Sequence, residues 1–191
     1  MRGGERLFAD HLGRCRLCPR RCGADRAAGE RGFCGAGNKV KVFGFGPHRG
    51  EEPPVSGTRG SGTVFFSRCT LRCVYCQNFR FSQLREGSAR DAVEFAGILG
   101  LLHRRGCHNW NFVSPTPWLP FIEDALIALE KDGIRIPIVY NTSGFENVDV
   151  LERLEGVVDI YLPDLRYALE ETAERASGFG GYAVIARDAL K

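Results

Sequence analysis

The stretch GTVFFSRCTLRCVYCQN, residues 62–78, decides the fold of this chain. It opens with an apolar, β-rich run that predicts a strand over residues 62–67. Cys69, Cys73 and Cys76 follow directly, with gaps of three and two residues between them. A closed metal site normally takes four protein ligands, so three thiols on one loop predict a site with one position left open.

The composition is that of an ordinary globular domain. The chain has 191 residues, of which 43% are hydrophobic and 26% charged, and this is enough for one domain with its own core. The net charge of +3 is too small to indicate nucleic-acid binding. There is no apolar run of about 18 residues, and residues 1–14 lack the apolar core of a signal peptide. We therefore expect a cytoplasmic protein with no membrane or nucleic-acid partner.

The cysteines fall into two groups and one single residue. Thiols stay reduced in the cytoplasm, so grouped cysteines there indicate metal or redox sites. Besides the triplet, an earlier group has gaps of 2, 3 and 11 residues and consists of Cys15, Cys18, Cys22 and Cys34. Cys107 stands alone beside a predicted helix end, and we expect it to be a structural, partly buried thiol.

The earlier cysteine group could hold a second metal. Four thiols suit a tetrahedral zinc ion or an iron–sulfur cluster, and the gaps match neither the usual bacterial ferredoxin run nor a standard zinc ribbon. The surrounding glycines allow tight turns around a metal: Gly23, Gly29, Gly32, Gly35 and Gly37. The alternative is a loop with four reduced cysteines. If a metal is present, we expect its role to be structural.

The chain divides into two parts by its pattern. Residues 1–60 form a cysteine-rich, irregular leader, with one short strand at 38–46 and a Gly- and Pro-rich loop at 46–62. Residues 61–191 form the core domain, in which strands and helices alternate. Such alternation predicts a parallel sheet with right-handed crossovers and helices outside.

Four β-α units are predicted in the core domain. The strands are expected at 62–67, 109–114, 136–141 and 157–162, and the helices at about 91–106, 117–133, 147–155 and 168–177, with another helix starting near 183. Ser88 and Asp91 form an S-x-x-D start signal for the first of these helices.

The carboxyl ends of the four strands carry polar or metal-binding groups. In parallel sheets, functional residues gather at this edge. The strand ends read Ser67-Arg68-Cys69, Ser114-Pro115-Thr116, Asn141-Thr142-Ser143 and Pro163-Asp164. Each could be an ordinary cap or turn, but four polar ends on one edge favour a functional site.

The triplet has the chemistry of a soft-metal site. Thiolates suit zinc or iron–sulfur clusters, and the charges of Arg68 and Arg72 would favour the thiolate form. Gln77 and Asn78 could donate hydrogen bonds to the sulfurs. A cubane cluster on three cysteines leaves one iron free to bind a small molecule.

The Cys-x3-Cys-x2-Cys spacing after a first strand resembles the radical S-adenosylmethionine (SAM) superfamily. More narrowly, CRLCPRRCGADRAAGERGFCGAG (15–37) with GSGTVFFSRCTLRCVYCQN (60–78) resembles uncharacterised proteins related to pyruvate formate-lyase activating enzyme. The resemblance implies a partial (β/α) barrel of six strands. Because four strands are predicted and the chain stops at Lys191 inside a predicted helix, we expect a barrel truncated after about four β-α units, a fragment of a longer protein.

The resemblance also implies cofactors and a reaction. A [4Fe–4S] cluster would be held by Cys69, Cys73 and Cys76, with SAM on the fourth iron through its amino and carboxylate groups. An electron from a donor such as flavodoxin or ferredoxin would then cleave SAM to methionine and a 5′-deoxyadenosyl radical. The substrate could be a partner protein that receives a glycyl radical, or a small molecule.

Further cofactor-binding residues follow from the same resemblance. An aromatic residue between the last two cysteines lies by the adenine in relatives, and Tyr75 stands there. Family motifs at the other strand ends correspond here to Ser114 and Thr116 (in place of Gly-Gly-Glu), to Asn141 and Thr142, and to Asp164. The last three are expected near SAM or a monovalent cation.

Two alternatives remain open at this point. Arg166, two residues after Asp164, could be the partner of that carboxylate instead of a ligand. The whole chain could also be a zinc-stabilised binding module without catalysis. A zinc ion on the triplet would need a fourth ligand, and none of His48, His103 and His108 is adjacent to it in sequence.

Overall fold

The strands of this protein form one sheet of six, described for residues 6–191 by a computed structural model. They are β1 (Val40–His48), β2 (Ser61–Phe66), β3 (Ser88–Arg90), β4 (Trp110–Val113), β5 (Ile138–Thr142) and β6 (Ile160–Pro163), in the order β3-β1-β2-β4-β5-β6. β2, β4, β5 and β6 run parallel, while β1 pairs antiparallel with both β2 and β3. The four parallel strands are the four predicted from the pattern.

Helices follow the parallel strands, as the alternation predicted. They are α1 (Pro53–Ser56), α2 (Phe79–Ser82), α3 (Ala92–Arg104), α4 (Leu119–Lys131), α5 (Val148–Arg153), α6 (Glu170–Ser177) and α7 (Tyr182–Ala189), with 3-10 turns at Ala9–Leu12 and Thr116–Trp118. The predicted fold class is confirmed: an α/β partial barrel preceded by a cysteine-rich segment. Within residues 6–191, no helix has the length and apolar character needed to cross a membrane.

The main core lies between the sheet and helices α3 and α4. Phe66 of β2 packs against Phe95 of α3 and Phe112 of β4, with ring centroids 5.7 and 5.9 Å away. The indole of Trp110 donates a hydrogen bond to the Leu99 carbonyl (3.0 Å), which ties α3 to the sheet. Cys107 is 4% exposed within this core, so its predicted structural role agrees with its position.

The leader contributes to the same sheet. The strand predicted at 38–46 is β1, which extends to His48 and pairs with β2 from Val42 opposite Phe66 to His48 opposite Ser61. The segment predicted as loop therefore contains the end of β1, and it also contains the single turn of α1. Sequence periodicity cannot show such pairing, because the partner strands are far apart in the chain.

One predicted helix signal was wrong in detail. Ser88 does not belong to a cap, since it lies in β3 and pairs with Val42 of β1. Asp91 is the N-cap of α3: it accepts a hydrogen bond from the Glu94 amide (2.9 Å), and the Glu94 carboxylate accepts one from the Asp91 amide (3.0 Å). This reciprocal pair is a capping box, which satisfies two amides at the start of the helix.

The parallel register aligns the carboxyl ends of three strands. Val113 lies opposite Asn141, and Thr142 lies opposite Pro163. Beyond the strands, the Ser114 amide donates to the Asn141 carbonyl and the Asp164 amide to the Thr142 carbonyl, both at 2.9 Å. The polar strand ends therefore share one edge of the sheet, as predicted.

Candidate functional site

The triplet loop, residues 67–78, leaves β2 at this edge and is held through its backbone carbonyls and amides. Among its partners, Trp118 Nε1 donates to Ser67 O (2.9 Å), Arg20 Nε to Thr70 O (2.7 Å), and Gln83 Nε2 to Cys73 O (2.8 Å), while Val74 N donates to Ala176 O (2.8 Å). These bonds from distant parts of the chain fix the positions of the three cysteines.

The three thiols differ in exposure. Cys73 is buried, and Cys69 and Cys76 are partly exposed next to the apolar cluster that α6 and α7 build. Burial raises the pKa of the Cys69 thiol to about 11, although the Leu71 amide opposes this by donating to its sulfur (3.5 Å). Since the thiolate is the metal ligand, binding of a metal would have to release this proton.

Two tyrosines lie beside the triplet. Tyr75 is 56% exposed, and its ring centroid is 5.9 Å from that of Tyr167. Burial, followed by the contacts with Cys73 and Tyr75, raises the pKa of the Tyr167 hydroxyl. This hydroxyl therefore lies within reach of both a triplet thiol and the aromatic residue of the loop.

Asp164 already has a protein partner. Arg166 Nη2 lies 2.5 Å from Asp164 Oδ2, and the same guanidinium is near the thiols of Cys73 and Cys69. The alternative in which Arg166 is the partner of Asp164 is thus the one that the structure contains. A contact between Asp164 and SAM stays a prediction.

Thr116 and Thr142 meet at a carboxylate that the sequence analysis did not single out. Glu146, 3% exposed, accepts hydrogen bonds from the Thr116 hydroxyl (2.6 Å) and from the Thr142 hydroxyl. The Tyr140 hydroxyl lies 3.1 Å from Thr116 Oγ1 and 3.5 Å from Glu146 Oε2. The two threonines, predicted as SAM contacts, therefore join the ends of β4 and β5 through Glu146.

The environment of Glu146 favours its neutral form. Burial raises the pKa of this carboxyl to about 7, against the lowering effect of the hydrogen bonds from Thr116, Thr142 and Tyr140. Burial also raises the pKa of Tyr140, with the Glu146 charge adding to the effect. The signal for Glu146 in the sequence is weak: a single acidic residue in the loop TSGFEN that leaves β5.

The remaining predicted residues lie at the same edge. Ser114 has a positive φ of 58°, an uncommon conformation for a residue other than glycine, and is paired through its amide with Asn141. Gly144 has a φ of 72°, and a Cβ there would come within 2.8 Å of the Asp164 carbonyl. The loops after β5 and β6 therefore touch at a position that only glycine allows.

The donor set of the triplet is compatible with an iron–sulfur cluster. Within residues 6–191, no three His, Cys, Asp or Glu side chains, those of both cysteine groups included, already stand close enough together to hold one metal ion. A four-iron cluster spans a wider set of sulfurs and takes Cys ligands. Three thiols on one fixed loop with apolar neighbours are compatible with such a cluster.

Comparison with known proteins identifies the family. The sequence model described as the Radical SAM superfamily matches residues 63–186, which include the triplet loop and the parallel strands. The chain belongs to the radical SAM superfamily.

Two curated relatives of this radical SAM protein come from Methanocaldococcus jannaschii. The uncharacterized protein MJ0674 is 35% identical over 181 residues, which cover 88% of this chain and 50% of that protein. The uncharacterized protein MJ0808 is 24% identical over 196 residues, covering 86% of this chain and 56% of that protein. The chain spans about half the length of the curated relatives it matches.

Replacement of Glu146 by Gln should change how stability depends on pH. The pKa of Glu146 is about 7 in the folded protein, above its usual value of 4.5. The neutral carboxyl therefore makes its full contribution to folding stability below pH 4.5, and this contribution is lost as the pH rises through 7. Between about pH 5 and pH 8, wild-type stability should fall relative to Glu146→Gln by roughly 2–3 kcal/mol, measured by urea unfolding. Glu152→Gln removes a nearby exposed carboxylate, and the stability of this variant should depend on pH as that of the wild type does. Parallel curves for wild type and Glu146→Gln would refute the assignment.

Replacement of Asp164 by Asn tests the role of the Asp164–Arg166 pair. The side chains are 54% and 34% exposed, so the lost ion pair should lower stability by less than about 1 kcal/mol. Because Arg166 already satisfies the carboxylate, we expect SAM affinity, measured by calorimetry on the reconstituted full-length protein, to stay within about twofold. A loss of affinity of about tenfold or more, with an unchanged melting temperature, would show that Asp164 serves the ligand instead.

Proposed function

We propose that this protein is a radical SAM enzyme that holds a [4Fe–4S] cluster on Cys69, Cys73 and Cys76. When bound, the cluster would pass one electron to SAM, giving methionine and a 5′-deoxyadenosyl radical. The observation that carries the proposal is the fixed loop of three thiols at the carboxyl edge of a parallel sheet, in a chain that matches the family over 63–186. A closed zinc site lacks support, since three thiols leave it one ligand short.

The chain's own residues would bind and orient SAM. The exposed ring of Tyr75, on the triplet loop, offers a flat face for adenine. Ser114 and Asn141, paired at the sheet edge, offer polar groups for the methionyl part. Thr116 and Thr142 already donate to Glu146, so we assign them the task of holding the ends of β4 and β5 in register.

The proposal includes the cellular compartment of the reaction and the electron donor. Free thiols in both cysteine groups suit the reducing cytoplasm. A one-electron donor of the flavodoxin or ferredoxin class would reduce the cluster. The protein's contribution is to bind the cofactor, orient it and exclude water, since the cofactor carries out the difficult chemistry.

Replacement of each triplet cysteine by Ala should abolish cluster assembly. After anaerobic reconstitution, iron and sulfide contents should fall to background in all three variants, because a cluster with two protein ligands is poorly held. The dithionite-reduced wild-type full-length protein should form 5′-deoxyadenosine from SAM, and the variants should not. Cys107→Ala is the matched control: it removes a buried cysteine in the main core and should keep iron, sulfide and activity.

Two results would contradict this assignment. One is wild-type iron and sulfide content in all three triplet variants. The other is an intact, reduced cluster in the full-length protein with no 5′-deoxyadenosine formed from SAM.

We further propose that the substrate is a protein, as in activation of a partner by formation of a glycyl radical. The supporting observation is that large apolar side chains are exposed around the triplet: Val74 (77%), Phe79 (49%) and Leu84 (61%), in addition to Tyr75. Exposed apolar groups at the entrance to a site are typical of surfaces that contact macromolecules. A small-molecule substrate is the alternative.

A fractionated extract of the source organism can separate these two substrates. The reduced full-length protein is given SAM together with either the desalted protein fraction or the small-molecule filtrate. We expect the protein fraction, but not the filtrate, to increase 5′-deoxyadenosine formation at least about tenfold over SAM alone. The reason is that binding of the true substrate supplies free energy that accelerates the reaction. Protease treatment of the protein fraction should remove the effect. Stimulation by the filtrate alone would favour a metabolite.

A further inference from the structure

We propose that Cys15, Cys18, Cys22 and Cys34 form a second metal centre, a closed site of four thiolates that holds one zinc ion. The four cysteines are spread over 20 residues of the leader, yet all of them line one small cavity. The other lining residues include Leu17, Phe33 and Pro117, so the cavity is largely apolar. Neither the family match, which begins at residue 63, nor the relatives assign this site.

The backbone around these sulfurs has the form of metal-binding turns. The thiols of Cys15 and Cys18 accept hydrogen bonds from the amides of Leu17 and Arg20, two residues on, although burial outweighs these bonds and raises the pKa of both thiols while no metal is bound. Cys34 repeats the pattern with the amide of Ala36 at 3.4 Å. Amide donors two residues after a cysteine stabilise its thiolate, because they direct partial positive charge at the sulfur.

The turns also bring the distant members of the group together. The Cys15 amide donates to the Ala24 carbonyl (3.0 Å), and the Gly23 amide donates back to Cys15 (2.9 Å), which closes the loop that contains Cys18 and Cys22. At Gly32, a Cβ would lie 2.4 Å from the sulfur of Cys22. Glycine at this position therefore leaves the space that the Cys22 sulfur occupies.

The charged side chains near the cavity are positive, so they would stabilise a negatively charged metal centre. Three guanidinium groups lie near the leader thiols: Arg26 near Cys15, Arg20 near Cys18 and Cys34, and Arg68 near Cys34. Arg26 is 2% exposed, and its hydrogen bonds go to the carbonyls of Gly37 and Pro117. Arg68 Nε and Nη1 are buried without a hydrogen-bond partner among residues 6–191.

Arg20 and Arg68 are partly exposed, so the charge argument rests mainly on the buried Arg26, which four neutral thiols would leave with carbonyl partners but no counter-charge. Burial of an unpaired charge is costly, and a counter-charge nearby offsets the cost. A zinc ion with four thiolates carries a net charge of −2, so it would supply that counter-charge. Four reduced cysteines in a loop would not, and this argues against the alternative without a metal.

The cavity between the thiols is small, about 10 Å³, near the volume of one water-sized sphere, so a single ion fits with the least movement of the side chains. Four thiolates also complete the tetrahedral coordination of zinc. The sulfurs do not stand in the closed arrangement of a bound ion anywhere in residues 6–191, so the proposal requires the exposed Cys22 side chain to turn inward when zinc binds.

The centre would also support the triplet loop. Phe33, next to Cys34, lies between two guanidinium groups, with Arg20 Cζ 3.3 Å and Arg72 Cζ 4.3 Å from its ring centroid. Arg20 then donates to the Thr70 carbonyl, and Arg72 Nη2 donates to the Phe33 carbonyl (3.2 Å). Zinc would thus hold in place Arg20 and Phe33, two of the leader residues that contact the triplet loop.

Metal analysis of the full-length protein tests the proposal. The wild type, reconstituted anaerobically with iron and sulfide in the presence of zinc, should contain one zinc ion per chain in addition to its iron. Cys18→Ser and Cys22→Ser should lose the zinc and keep most of the iron. Cys73→Ala is the matched control: it should lose the iron and keep the zinc, so failure of the triplet assignment is distinguishable from failure of this one.

A measurement on the wild type covers the case in which the cysteine variants do not fold. Cobalt(II) in place of zinc should give the visible absorption bands of tetrahedral thiolate coordination in wild type.

Two results would overturn the proposal. One is a folded wild-type protein that binds no zinc and gives no thiolate bands with cobalt. The other is a loss of iron and sulfide, rather than zinc, in the leader variants, which would show that the leader holds a second iron–sulfur cluster.

Discussion

The hydrogen bonds that hold the triplet loop come from residues in distant parts of the chain. Three sulfurs can serve one metal cluster only if the backbone that carries them keeps one shape. Donors for its carbonyls come from Arg20 in the leader, from Trp118 after β4 and from Gln83 after α2. Loss of any of these three donors would remove a hydrogen bond that positions the backbone of the cysteine loop, so the site depends on residues from several parts of the fold.

A buried carboxylate joins two of the other strand ends. Glu146 collects the hydroxyls of Thr116 and Thr142, one from the loop after β4 and one from β5. A buried carboxyl needs hydrogen-bond partners, and these two hydroxyls supply them. Polar residues at a sheet edge can thus serve the scaffold of a site, and polarity alone does not make them ligand contacts.

The two cysteine groups are neighbours in space although β1 and the 46–62 segment separate them in sequence. Antiparallel pairing of β1 with β2 brings the leader back to the strand that ends in the triplet. The buried Arg26 and the stacked pair of Arg20 and Phe33 then attach the leader to the core and to the loop. The proposed zinc ion would therefore act on the triplet loop through the leader, since metal binding contributes directly to folding.

Sequence alone determined the features that depend on short-range pattern. Apolar runs and helical spacing located the four parallel strands and their helices, and the gaps of three and two defined the triplet. The predicted parallel arrangement then placed the polar strand ends on one edge, which the structure confirms.

Only the tertiary structure decided the features that depend on partners distant in the chain. The strand at Ser88, the role of Glu146 and the position of Arg26 all rest on hydrogen bonds or pairing with residues brought near by folding. The pairing of Asp164 with Arg166 was one of two local alternatives, and the course of the backbone after β6 selected it. A residue's type states which bonds it can make, whereas burial and the arrangement of neighbours determine which of them it does make.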